Sequence, residues 1–493
     1  MLKIGRWLLT FVLTTQLLGM GSCQGSPLSE LELNDPVTIS FYHYYSGEQA
    51  AELEQQITTF SQTVGKDRGI SVLAKGVAGV AQLSDYLLTH SAGSDGQGGL
   101  PDLMLIYPDT ALELIGRDQL VNLDRYLTPE DLSVFPDSYL DHGRLGKNNH
   151  LYLLPYVRAS EVVAVNQADW QAFAARNKRY SDLDESFSTW ESIMSAAEAY
   201  HRWTDGKPLF GFDSLANFIM TGSRQQGIEL LQRKDGSGQI DFDREALYQI
   251  WKIYYGSMID GRFAAYSRFR SDDLKAGLLT AAVVSTSAGP YLSPVIVEED
   301  GTTRSADLAI LPYPVFRDGQ PVCVQQGANL AIARSDDDRE IASAILMQWL
   351  TRPEQNITFS IPAGYLPVTR PALQSQLLQD YLLSEAAEYR QQPGISLSLQ
   401  AFFKQMDSFE MYAAPAFPGS YALRDLLSES LQSLTDQAMI RFQQDLAGNA
   451  NRSDLIYDRY VNDVVFEQWY SQLVLDSQRV LEQGNAAFDK NRQ

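Results

Sequence analysis

Val37-Thr38-Ile39-Ser40-Phe41-Tyr42-His43-Tyr44-Tyr45-Ser46-Gly47 is the stretch whose reading decides the fold. Val37, Ile39 and Phe41 alternate with Thr38 and Ser40, the two-residue period of a strand, and the run stops in the loop 43–47. Leu53, Ile57, Phe60 and Val64 follow on one helical face. Residues 70–74 read as a second strand, and Val80, Leu83 and Leu87 begin a second helix. Pro101-Asp102-Leu103-Met104-Leu105-Ile106 then makes a buried strand that ends at Tyr107-Pro108-Asp109. Strands alternating with helices define an α/β fold with a largely parallel sheet covered on both faces. Ligands in such sheets collect beyond the C-terminal ends of strands, where Tyr44 and residues 107–109 lie.

Further along, Leu151-Tyr152-Leu153-Leu154-Pro155-Tyr156 passes through Val157-Arg158-Ala159-Ser160-Glu161 into Val162-Val163-Ala164-Val165-Asn166. Two strands with so little between them suit a chain crossing from one lobe to another better than a hairpin. Thr189 is placed to cap a helix carrying Ile193, Ala196 and Ala197, and 246–256 repeats the helical pattern. Leu423, Leu427, Leu431, Leu434 and Ala438 give a late helix an apolar face, and Tyr460, Val464 and Trp469 fall in an aromatic-rich helix beyond residue 454. The glycine-rich loop 91–99 lacks the Lys-Ser/Thr ending of a phosphate loop, and Lys234-Asp235-Gly236-Ser237-Gly238 lacks the ligands of a calcium loop and reads as a polar hairpin turn.

Lys3 and Arg6, the apolar run 7–18 and the small residues before Cys23 form an export signal, too short for a bilayer-spanning helix of roughly 20 residues. Gly19-Met20-Gly21-Ser22-Cys23 resembles the lipobox of bacterial lipoproteins, although that family prefers Leu where Met20 stands. The resemblance implies cleavage after residue 22, a lipid on Cys23, a tether over 23–35 and a location outside the cell membrane or in the periplasm. The chain of 493 residues exceeds what one core can organise and suits two α/β lobes. A net charge of −22 makes nucleic acid an unsuitable partner, because phosphate binding needs clustered Lys and Arg; an acidic ligand would need a local basic pocket. Cys23 and Cys323 are the only cysteines, and five scattered histidines lack zinc-site spacing, so no disulfide framework, metal site or cofactor is expected. Cys323, between Val322 and Val324, reads as a buried small apolar residue.

Taken in order, these pieces resemble the family 1 extracellular solute-binding proteins, the sugar receptors of bacterial ABC importers. The resemblance rests on 41–47, Pro101-Asp102-Leu103, Gly116-Arg117-Asp118-Gln119-Leu120-Val121-Asn122-Leu123-Asp124, Thr189-Trp190-Glu191, Leu274-Lys275-Ala276-Gly277 before 281–284, Gly327-Ala328-Asn329-Leu330-Ala331-Ile332, and Gly364-Tyr365-Leu366-Pro367-Val368. It implies a type II periplasmic binding protein fold of two discontinuous lobes, 36–156 with 327–371 and 158–326 with 372–493. It further implies a monomeric, non-enzymatic receptor that closes on a small molecule and docks on permease subunits.

Tyrosines at strand ends, crossings and Gly/Pro-rich loops are the stacking candidates for a sugar: Tyr44, Tyr107, Tyr156, Tyr291, Tyr365 and Tyr421. The resemblance implies that Tyr291, behind Gly289-Pro290, aims into the cleft. Glu48, Asp109, Arg158 and Asp213 are the polar candidates for vicinal hydroxyls, with Arg158 also placed for a salt bridge between lobes. Phe212, beside Asp213, and Gly327, heading its motif, complete the set. A polyamine receptor is the second reading of an acidic, aromatic pocket, and a secreted glycoside hydrolase, which needs two carboxylates, is the enzyme alternative. An adhesin or sensor lipoprotein on the same fold is the third.

Overall fold

The computed structural model describes residues 35–490 except 78, 92–98, 147, 235, 383–391 and 448–452. Cys23, the leader and most of the loop 91–99 lie outside the described residues. The strands that matter for the site are β1 (Val37–His43), β2 (Ile70–Gly76), β3 (Leu103–Ile106), β4 (Leu154–Pro155), β5 (Glu161–Asn166), β6 (Ala281–Ser285), β7 (Leu308–Leu311), β8 (Val322–Val324), β9 (Asn329–Ile332) and β10 (Glu410–Tyr412). One sheet has the order β2-β1-β3-β9-β4 and another the order β6-β5-β7.

The alternating apolar residues of the opening stretch are inside: Ile39 and Phe41 are fully buried. β1 pairs in parallel with both β2 and β3, as helix-bearing crossovers require. β9 does not arrive over such a crossover. It returns from the other sheet and runs antiparallel to β3 and β4. The second sheet departs from the parallel expectation altogether, since β5 is antiparallel to both neighbours.

Helices α1 (Gly47–Gln62), α2 (Val80–His90) and α3 (Pro108–Gly116) cover the first sheet. α1 buries Leu53, Ile57 and Phe60, whereas Val64 starts a separate short helix. α4 (Trp190–Trp203) is capped by the Thr189 hydroxyl, which accepts from the Ser192 amide. α5 (Leu215–Gln225), α6 (Ser420–Ala447) and α7 (Asp463–Lys490) pack on the second sheet's side. α6 buries Leu423, Leu427 and Leu431 on one face, with Leu434 only partly buried. In the tail a break near 461–462 separates Tyr460 from α7, and Val464 points outward at 66% exposure; Phe466, Trp469 and Leu473 form the buried face instead.

Two large cores result. One gathers residues between 39 and 159 with 328–368, the other residues between 163 and 323 with 412–481. Ala372, Leu378, Tyr381, Ile395, Leu399 and Phe402, expected with the second lobe, share a smaller cluster with Ile357, Ile361 and Leu366, while the helix Pro393–Ser408 also packs on β5 and β7, so it touches both. Phe417, fully buried, lies on Gly238 of the hairpin Leu231–Ile240, where an added Cβ would stand 2.1 Å from its ring. Cys323 is buried in β8, and its thiol is pushed up to about 12 by burial.

Candidate ligand site between the two lobes

The chain passes between the sheets at 156–160 and again at 325–328, and these two crossings pair with each other. The Ala159 amide donates to the Gln326 carbonyl at 2.8 Å and the Gln326 amide to the Ala159 carbonyl at 3.0 Å. Gly327 makes the approach possible. Its φ is +147°, and a Cβ there would lie 2.1 Å from the Val157 carbonyl oxygen. Its role is therefore backbone geometry at the crossing.

A cavity of about 700 Å³ opens above this hinge, in the range of small-molecule sites. The first core contributes Tyr107, Pro108 and Asp109, where buried β3 ends and Pro108 starts α3, together with Asp141, His142 and Arg144. The second contributes Met220 of α5, Glu229 and residues 231–233. Arg158, Gln325, Gln326, Gly327 and Asn329 form the floor, and 413–416 with Ser420 and Arg424 close one side.

Arg158 is 2% exposed and makes no salt bridge among the described residues. Its Nη1 donates to the Val157 carbonyl at 3.1 Å and Asn329 Oδ1 at 3.3 Å, and its Nη2 to the Tyr139 carbonyl at 3.3 Å. The guanidinium stands 4.8 Å from the centre of the Tyr139 ring, and Nε has no hydrogen-bond partner among the described residues. Burial pulls its pKa down to about 10, so it remains a cation at neutral pH.

Beside it runs a polar chain from the half-buried Arg424 to the buried Asn217 and Glu161. Arg424 Nη2 donates to Asn217 Oδ1 at 2.7 Å, and Asn217 Nδ2 donates to Glu161 Oε1 at 2.7 Å and Gln326 Oε1 at 3.3 Å. Glu161 is 2% exposed, and its Oε2 has no partner among the described residues. Burial pushes this carboxyl up to about 8, against the lowering effects of the Asn217 hydrogen bond and the Arg424 charge. At neutral pH it is mainly the acid, able to donate as well as accept.

Of the residues singled out from sequence, Tyr107, Asp109, Arg158 and Gly327 line this cavity. Tyr44 stands behind Tyr107, with their hydroxyls 3.5 Å apart and ring centres 6.2 Å apart. Burial raises both phenols, so they stay neutral. Tyr156 is a core residue: its ring is fully buried and stacked on Phe359, and its hydroxyl donates to Gln56. Tyr365 is likewise buried, against Tyr45. Phe212 packs on Trp190 and Phe218, and with Asp213 it borders a separate cavity of about 560 Å³. Asp213 accepts from the Arg270 amide at 2.8 Å, and burial pushes its carboxyl up to about 6.

Three candidates instead touch at the margins. Tyr291 is 37% exposed and does not line the main cavity; its hydroxyl crosses to the Ser46 carbonyl at 2.9 Å. Tyr421 does the same on α6, donating to Asp85 of α2 at 3.1 Å. Glu48 is exposed and accepts from Gln392 at 3.1 Å. Sequence reasoning missed Glu161, Asn217, Gln326 and Arg424. Glu161 had a legible signal, a carboxylate leading a wholly apolar strand; Arg424 had none, since one charge beside an apolar stripe reads as a solvated helix face. Among the described residues no group of three or more His, Cys, Asp or Glu is arranged for a metal, and no helix is long and apolar enough to cross a membrane.

A family model described as bacterial extracellular solute-binding protein matches residues 84–385. No curated protein matches the chain by sequence. Solved structures share the fold at low identity. The cyclic alpha-maltosyl-1,6-maltose binding protein of Arthrobacter globiformis superposes with a TM-score of 0.60 at 16% identity, covering 88% of this chain and 100% of that one. UgpB of Mycobacterium tuberculosis in complex with glycerophosphocholine gives 0.63 at 18%, covering 86% and 99%. An ABC substrate-binding protein of Listeria monocytogenes in complex with cycloalternan gives 0.63 at 14%, also covering 86% and 99%.

Proposed function

We propose, for a chain that belongs to the bacterial extracellular solute-binding proteins, that it captures a carbohydrate between its lobes and hands it to the permease of an ABC importer. The observation that carries this reading is the cavity itself: both cores and both crossings line it, with apolar and hydrogen-bonding groups side by side. A ligand touching both lobes stabilises the closed arrangement over any open one, so binding is a population shift. Tyr291 on Ser46 and Tyr421 on Asp85 are contacts that such closure makes and opening breaks. Tyr107 is the aromatic face we assign to the sugar, with Tyr44 fixing it from behind. Carbohydrate-binding neighbours such as the Arthrobacter and Listeria proteins support the substrate class.

We assign the lobes to 36–156 with 327–371 and 158–326 with the C-terminal helices, the helix Pro393–Ser408 bridging them. The chain works as a receptor without turnover, anchored by a lipid on Cys23 outside the cell membrane. Two measurements test this. Calorimetry against mono- and oligosaccharides should give saturable binding with no hydrolysis product, and the melting temperature should rise with ligand through linkage. Turnover abolished by replacing Asp109 or Asp141 would establish the hydrolase instead. Cells making Cys23→Ala should lose labelling of the protein by a radioactive fatty acid; full labelling refutes the anchor.

A further inference from the structure

The whole chain is strongly acidic, yet its cavity is not. Four arginines reach it, Arg144, Arg158, Arg233 and Arg424, against Asp109, Asp141 and Glu229. Two of these charges are already matched, Arg144 by Asp124 at 3.4 Å and Glu229 by Arg224 at 2.7 Å. Arg158 and Arg424 form no ion pair among the described residues. Arg158 uses three of its five N–H donors on neutral oxygens, leaving Nε–H and one N–H of Nη2. Arg424 donates to the neutral amide of Asn217. Arg158, Arg424 and Tyr107 line the same cavity.

A buried cation without a counterion is costly, and burial of that kind is resolved by a partner of opposite charge. Nothing among the described residues supplies it to Arg158. We infer that the solute carries an anionic group, a carboxylate or a phosphate, which docks on the free donors of Arg158 and on Arg424 while its sugar ring lies against Tyr107. The inference deepens the receptor reading and rests on it: the solute is an acidic saccharide, such as a uronic acid or a sugar phosphate, rather than a neutral one. The two forms present the same fork of oxygens to a guanidinium. A polyamine is disfavoured by the same charges.

The test is calorimetry of the full chain with matched pairs: galactose against galacturonate, glucose against glucose 6-phosphate, with glycerol 3-phosphate and inorganic phosphate alongside. The acidic member of at least one pair should bind roughly 10- to 100-fold tighter than its neutral partner, the range of charge-assisted hydrogen bonds, and the pair that responds tells carboxylate from phosphate. The preference should shrink with added salt. Arg424→Gln should remove most of it while the melting temperature of the free protein stays near the parent's. Arg158→Lys, which keeps the charge and loses the fork, should weaken the acidic ligand and serves if Arg424→Gln fails to fold. Equal affinity for neutral and acidic partners overturns the inference and leaves the sugar receptor standing, as does an Arg424→Gln loss shared equally by both. Binding of glycerol 3-phosphate or phosphate with no saccharide bound refutes the sugar reading and keeps the anionic site. No binding of any of these probes refutes the anionic site.

Discussion

Glu161→Gln should make the protein more stable at pH 8 and leave it unchanged near pH 4. The carboxyl is buried at the start of β5, its Oε1 held by Asn217 and its Oε2 unpartnered. Asp213, Tyr313, Cys323 and Arg424 are the other titratable or charged groups within electrostatic reach. Folding raises its pKa from 4.5 to about 8, so the folded state holds the proton more tightly than the unfolded chain. The sign follows: stability from this group is full below pH 4.5, declines as pH rises, and is lost once pH passes about 8. At pH 7 the span already crossed corresponds to about 3 kcal/mol at about 1.4 kcal/mol per unit. Glutamine mimics the protonated acid, keeping the oxygen that accepts from Asn217 and placing an uncharged group where Oε2 stands. For a lobe of this size about 3 kcal/mol moves the melting temperature by about 6 to 12 °C. Asp425, pushed up to about 6, slopes the parent's profile in the same direction and cancels in the difference between variant and parent, whereas Asp213, also pushed up to about 6, interacts with the Glu161 charge and adds to that difference. Scanning fluorimetry of both proteins from pH 4 to pH 9 reads that difference directly. Parallel profiles across pH 5 to 8 refute the argument.

Other outcomes follow from the packing. Tyr291→Phe keeps the ring and removes the hydroxyl with its exposed hydrogen bond to the Ser46 carbonyl and its interaction with the Gln49 amide, so ligand affinity should fall less than about tenfold with the melting temperature unchanged; a larger loss puts the hydroxyl itself on the ligand. Gly238→Ala drives a methyl group into the Phe417 ring and should cost about 1 to 3 kcal/mol, read as a lower melting temperature; parental stability means the hairpin does not rest on Phe417. In a Cys23→Ser background Cys323 should resist a thiol reagent at pH 8 until denaturant is added, because the thiol is buried and pushed up to about 12; rapid labelling of the native protein contradicts that burial.

The fold was legible where periodicity was local. Strand β1, helix α1 and strand β3 follow from spacings within a few residues, and the crossing at 156–160 from the lack of room for a turn between two apolar runs. The antiparallel second sheet was not legible, because β5 meets β6 and β7 only after long intervals of chain and nothing in any one strand encodes its partner's direction. The tyrosines divide for a similar reason. A strand end predicts a position near the cleft, as for Tyr107, but Tyr156 at a comparable strand end has its ring turned into the core by Phe359 and Gln56, neighbours more than 90 residues away.

Charge carried the reverse lesson. Summed over the chain, acidity argued against nucleic acid and left an acidic ligand dependent on a local basic pocket; an interior guanidinium interacts with what lies within a few ångströms, so such a pocket is not visible in the net charge. Arg158 stands in a crossing where two chain segments pair, and Gly327 allows the backbone there to approach Val157 and Arg158 closely. The geometry that joins the lobes therefore leaves a cation on the cavity floor with donors to spare. On the proposed binding mode, an anion seated on Arg158 and Arg424 would bridge the crossing and α6, both of which line the cavity.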